Sequence, residues 1–198
     1  MKKARFCNMV LVILAIFAVM LAGCDKDDAT IDFKADDVQF DLSGIEVNSG
    51  SGSGSSSVRA SGALLSIATA TNSFSETFTV DISEISSSDL TKYMDRISKV
   101  VANNSLLTIS VTPPNEYSVV DLKVTVNGVP GSLDIPSYTM GEDFTPPSNM
   151  NAFTAAFIMK LINAGQADVT VSGKTDAPAG TKIDVFYECD LVFTAKLL

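Results

Sequence analysis

Beyond its first thirty residues the chain alternates between two spacings of apolar positions, one of two and one of three to four. Ile31 and Phe33 alternate with Asp32 and Lys34, and Val38, Phe40 and Leu42 alternate with Gln39 and Asp41. These read as two strands joined by a turn or bulge at Asp36-Asp37. Asn48 to Ser57 holds only Asn, Ser and Gly, which have nothing to bury, so a mobile loop is expected there. Leu64 to Ala70 and Phe74 to Ile82 read as the next strands. From Ser88 to Val101 the apolar positions Leu90, Tyr93, Met94, Ile97, Val100 and Val101 predict one helix, with Ser86 and Asp89 fitting a capping box. Alternation returns at Leu107 to Val111 and at Val120 to Val126. Asn127-Gly128 is then a hairpin-type turn. Leu133 to Met140 is interrupted by Pro136 and is expected at a sheet edge. Asn149 to Asn163 predicts a second helix, stopped by Gly165 and apolar nearly all round, hence buried on two sides or docked outside the domain. Val169 and Val171 mark another strand. The alternation from Ile183 to Leu197 would run more than ~45 Å if straight, so it should bend or bulge. The fold class this predicts is α+β, a mainly antiparallel sheet or sandwich of about nine strands with two covering helices. A shift of 62 residues sets Met94, Ile97, Val100, Leu107 and Ile109 on Ala156, Met159, Ile162, Val169 and Val171, which suggests an internal duplication.

The first 28 residues follow different rules. Lys2, Lys3 and Arg5 precede an uncharged apolar run, Met9 to Leu21, in the layout of a secretory signal. That run is short for a membrane-spanning helix of ~20 residues, and no other stretch is longer. The mature chain is therefore expected not to be an integral membrane protein. Leu21-Ala22-Gly23-Cys24 resembles the lipobox of bacterial lipoproteins. The resemblance implies cleavage before Cys24, a diacylglycerol on its thiol and acylation of the freed amine. Asp25-Lys26-Asp27-Asp28 resembles the export signal of Bacteroidota surface lipoproteins. It implies an outer-membrane anchor with the domain facing outward. The expected organisation is a signal over 1–23, a lipidated cysteine and polar tether over 24–30, and one mostly-β domain over 31–198.

Charge and cysteine content narrow the partners. Loss of Lys2, Lys3 and Arg5 takes the formal net charge from −9 to −12. Such an excess disfavours nucleic acid, and the sequence has no run of basic residues for anionic lipid. With Cys7 in the signal and Cys24 lipidated, Cys189 is the one cysteine left in the domain. No intrachain disulfide is then available there, and its place in an alternating strand predicts a buried, inert thiol. At 46% hydrophobic residues the domain can bury a core without such a staple.

The chain has no His and no Trp. The first absence removes the commonest general base and every Ser-His or Cys-His pair, and the second removes the flattest sugar-stacking platform. Paired carboxylates among Asp36, Asp37, Asp41, Glu142 and Asp143 could in principle hydrolyse a glycan or hold calcium, although no EF-hand spacing is present. No cofactor or metal is expected. Two functions remain: a non-enzymatic binding or assembly module that meets a protein or glycan, or a carboxylate-dependent surface hydrolase. Phe153 and Phe157, on the very apolar second helix, are the expected docking face for a partner.

Overall fold

The computed structural model describes residues 29–50, 72–85, 87–140 and 146–197. The signal, lipobox and tether, the strand expected at Leu64–Ala70, most of the Gly/Ser loop, the capping Ser86, and Glu142 and Asp143 lie outside the described residues. The strands are β1 (Thr30–Asn48), β2 (Asn72–Asp81), β3 (Ile97–Val111), β4 (Ser118–Val126), β5 (Leu133–Thr139), β6 (Gln166–Thr175) and β7 (Lys182–Lys196). The helices are α1 (Ser88–Tyr93) and α2 (Met150–Ala164). All strand pairs are antiparallel, in the order β3-β7-β1-β2-β6-β4-β5, and the sheet curls into a half-barrel.

Among the described residues there are seven strands rather than nine: the two segments expected before residue 43 are one strand, and Leu64–Ala70 is outside the described part. The Pro136-bearing β5 does lie at an edge, where the missing N–H costs no ladder bond. The largest correction concerns Ser88 to Val101. Only Ser88–Tyr93 is α-helical, capped by the Ser87 hydroxyl accepting from Leu90 N–H at 3.2 Å. A single 3-10 turn over Met94–Arg96 follows, and β3 begins at Ile97. The duplication fails with it, because Ile97 and Val100 are in a strand while Met159 and Ile162 are in a helix.

The cause of that misreading is a set of β-bulges. In β1, Asp36 and Asp37 together oppose Asp190 of β7, and Ser43 and Gly44 oppose Asp184. In β3, Ser98 is an extra residue, and Asn104 and Ser105 oppose Cys189. In β4, Asp121 and Leu122 oppose Gly173 of β6. Each extra residue turns one step of two in the buried series into a step of three. Ala35→Val38, Leu42→Ile45, Ala102→Ser105 and Val119→Leu122 are such steps, and so is Ile97→Val100, which imitates a helix.

Four of the bulges need a left-handed residue, and they have Asp37 (φ 55°), Gly44 (φ 85°), Asn104 (φ 50°) and Asp121 (φ 53°). Asp, Asn and Gly are the residues that tolerate it. Two β7 aspartates hold three of these bulges. Asp190 accepts from Asp37 N–H at 3.1 Å and from Asn104 Nδ2 at 2.6 Å, and Asp184 accepts from Gly44 N–H at 2.9 Å. At the corner where β1 leaves β7 for β2, Phe74 pairs with Val47 on one side and Gly173 on the other. A Cβ on Gly173 would stand 2.7 Å from the buried Phe74 ring, so only glycine fits beneath it.

The half-barrel is filled by α2. Its Met150, Thr154, Phe157, Ile158, Leu161 and Ile162 form one broad buried stripe. The opposite side is Asn151, Ala152, Ala156, Asn163 and Ala164, all exposed. The helix is therefore buried on one side, and alanines chosen for helix propensity account for its apolar appearance. Gly165, left-handed at φ 77°, ends it by donating to Leu161 O at 2.7 Å.

The Asn104 side chain and the Asp37 N–H, in that order, hold the Asp190 carboxyl below the usual carboxylate range. A carboxyl depressed by folding adds stability above its unfolded pKa of ~3.9, and that stability is lost as pH falls through the lower folded value. Asp190→Ala should lower stability at pH 7 by about 1 kcal/mol, solvent screening keeping it below a buried charged pair. The gap from wild type in urea midpoint should shrink as pH drops below about 4. An equal gap at both pH values would contradict the bulge-holding role.

Candidate functional site

Every strand and α2 converge on one interior point. Phe40, Leu107, Val126, Leu133, Phe157 and Tyr187 are among the walls of a cavity of about 30 Å³ there. That is about one water's share of volume, and a water would need two to four polar partners that these walls do not offer. Small-molecule sites run to ~300–1,000 Å³. This cavity is well below that size. Phe157 is 6% exposed, meets the Phe40 ring edge-on at 5.4 Å between centroids and lines this cavity; Phe153 is half-buried against the same core. Burial removes Phe157 from the docking face expected on these two residues, whereas Phe153 keeps part of its surface exposed.

One polar cluster lies beside the cavity and fastens α2 to β3 and β7. The Thr154 hydroxyl donates to Met150 O at 2.8 Å, a carbonyl that can only accept. It then accepts from the Ser105 hydroxyl at 3.1 Å and from the Tyr187 hydroxyl, which uses both its lone pairs. Ser105 N–H donates to Asn151 Oδ1 at 3.2 Å. Burial pushes the Tyr187 phenol up, opposed in part by Thr154 and Ser105. These hydroxyls are satisfied by each other, and no base activates any of them.

Cys189 is buried in the same core at 2% exposure. Burial first, then the nearby Asp190 and Glu188 charges, push its thiol up to about 12. A thiol held protonated is a poor nucleophile, which fits the inert role expected. A shallow groove of about 400 Å³ beside α1, between Ile82, Ile85, Leu90 and Met94, carries hydroxyls but no ionisable side chain.

Of the carboxylates considered for hydrolysis, Glu142 and Asp143 lie outside the described residues. Asp36, Asp37 and Asp41 are exposed on β1, on the side of the sheet away from the core. Asp41 accepts from Ser43 in the second bulge. The well-held Asp190 is lowered, the opposite of what a general acid needs. Among the described residues no three Cys, Asp or Glu side chains converge as a metal ligand set.

The hydroxyl cluster makes an ordered prediction. Thr154→Val leaves two buried hydroxyls short of a partner and should cost about 2 kcal/mol, whereas Tyr187→Phe removes one donor and should cost about 1 kcal/mol. Urea unfolding of both variants reads the difference, and equal or reversed costs would contradict Thr154 as the hub.

No known protein family, curated protein or solved structure matches this chain.

Proposed function

We propose that this protein is anchored in the cell envelope by lipid on Cys24 and works there as a binding or assembly module rather than as an enzyme. The observation that carries the proposal is the ordered run of Lys2, Lys3 and Arg5, the apolar Met9–Leu21, and Leu21-Ala22-Gly23-Cys24. No helix among the described residues is long and apolar enough to cross a membrane, so the described part supplies no helical anchor of its own. Several acyl chains on one cysteine hold a protein stably where a single chain does not. The acidic tether Asp25-Lys26-Asp27-Asp28 supports outer-membrane placement with the domain facing outward. Among the described residues, the exposed Asp36, Asp37 and Asp41, an interior cavity of about 30 Å³ and the buried Cys189 thiol favour this reading over a hydrolase. A protein or glycan partner would then be met by the outer surface and loops of the half-barrel.

Expression of the full-length chain with an alkyne-bearing fatty acid tests the anchor. Wild type should carry the label and Cys24→Ser should lose it completely, whereas equal labelling of the two would remove the proposal. Protease treatment of intact cells reads the orientation: release of the domain supports surface display, and full protection excludes it.

A further inference from the structure

Of the asparagines in the chain, Asn127 alone is followed by glycine. Val126 to Val129 form the turn that leaves β4: Val129 N–H donates to Val126 O at 3.0 Å, and Asn127 N–H donates to Asp168 O at 2.9 Å. Gly128 has φ 81° while Asn127 keeps a negative φ, as in a type II turn. Both residues are exposed. Asn48, Asn72, Asn104, Asn149 and Asn151 use their carboxamides in hydrogen bonds. The Asn127 carboxamide has no such partner among the described residues.

One charge stands over this turn. Lys160, the single charged residue of α2, is half-buried, and its ammonium lies 3.4 Å from where a Cβ on Gly128 would be. That position is ~2.5 Å from the Gly128 nitrogen, so the ammonium is within about 6 Å of it. Among the described residues Lys160 forms no ion pair, and no other side chain comes within 4 Å of the same position. The space beside Gly128 is therefore open to the Asn127 side chain and to water. The Asp168 carboxylate, whose backbone oxygen holds the turn, is engaged by the Thr79 hydroxyl at 2.8 Å on the β2 side.

We infer that Asn127 is a site of self-modification and that Lys160 promotes it. The Gly128 backbone nitrogen gives its proton to solvent and attacks the carbonyl carbon of the Asn127 side chain. The new C–N bond closes a five-membered imide as the side-chain nitrogen leaves as ammonia. Water then opens either carbonyl of the imide, which leaves aspartate at 127, or isoaspartate with the backbone running through the side-chain carbon. Glycine matters because it has no side chain to block the approach. Lys160 matters because the attack needs the amide nitrogen in its anionic form, which a cation within ~4–6 Å favours. The product carboxylate then gains in Lys160 a cation that the neutral amide could not pair with. The turn lies beyond the last ladder pairs, Val124 with Leu133 and Val126 with Val169, so sheet pairing survives the change.

The test ages the full-length protein in mildly alkaline buffer and reads each asparagine by peptide mass spectrometry, with released ammonia as a second measure. Wild type should accumulate aspartate and isoaspartate at 127 before any other asparagine changes. Lys160→Met and Lys160→Gln should each slow the conversion about fivefold, and Lys160→Arg should keep most of the wild-type rate. In concentrated urea all four proteins should age at one rate, because unfolding takes the ammonium away from the turn. Equal rates for folded wild type and both neutral variants, or faster conversion in those variants, would overturn the inference. So would a residue 127 that stays an amide while other asparagines convert.

Discussion

The extra residue of a β-bulge is the constraint on which this structure depends. A two-against-one step bends its strand and increases the local twist, and here such steps fall on both neighbours of β7 and again on β4. β7 itself runs fifteen residues as the template against which β1 and β3 bulge. The sheet therefore closes far enough for one helix to fill it. Without that curvature, Phe157, Ile158 and Leu161 of α2 would have one wall to pack on instead of a surrounding one. The aspartates of β7 matter because they answer the bulges: Asp190 and Asp184 accept from groups that the extra residues turn out of the ladder.

The interior that results is apolar and nearly full. Around it the described residues place a pocket of about one water's volume, hydroxyls that satisfy one another around Thr154, and a thiol pushed up by burial.

Much of the fold was legible in the residues. Strict alternation in β7, Asn127-Gly128 between β4 and β5, Pro136 at the sheet edge and Gly165 after α2 each state their structure locally. The bulge at Asp36-Asp37 was readable because two adjacent acids broke an alternation. The others were harder, since Ser98 and Asn104 sit among residues compatible with helix and strand alike. A step of three in the apolar series has two physical causes, and β-branched Ile97, Val100 and Val101 were the available hint toward strand. The all-round apolar look of α2 has a related cause: exposed alanines complete it, while Phe157 is buried on one side.

The central claim is that bulged strands and α2 form a single cooperative core. Native-state hydrogen exchange with increasing denaturant tests it directly. The amides of Ile158 and Leu161 in α2 should open with the same free energy as those of Val185 and Leu191 in β7, within about 1 kcal/mol, because neither can be exposed without the other. Exchange of the α2 amides through a local opening several kcal/mol cheaper than that of β7, insensitive to denaturant, would contradict the account.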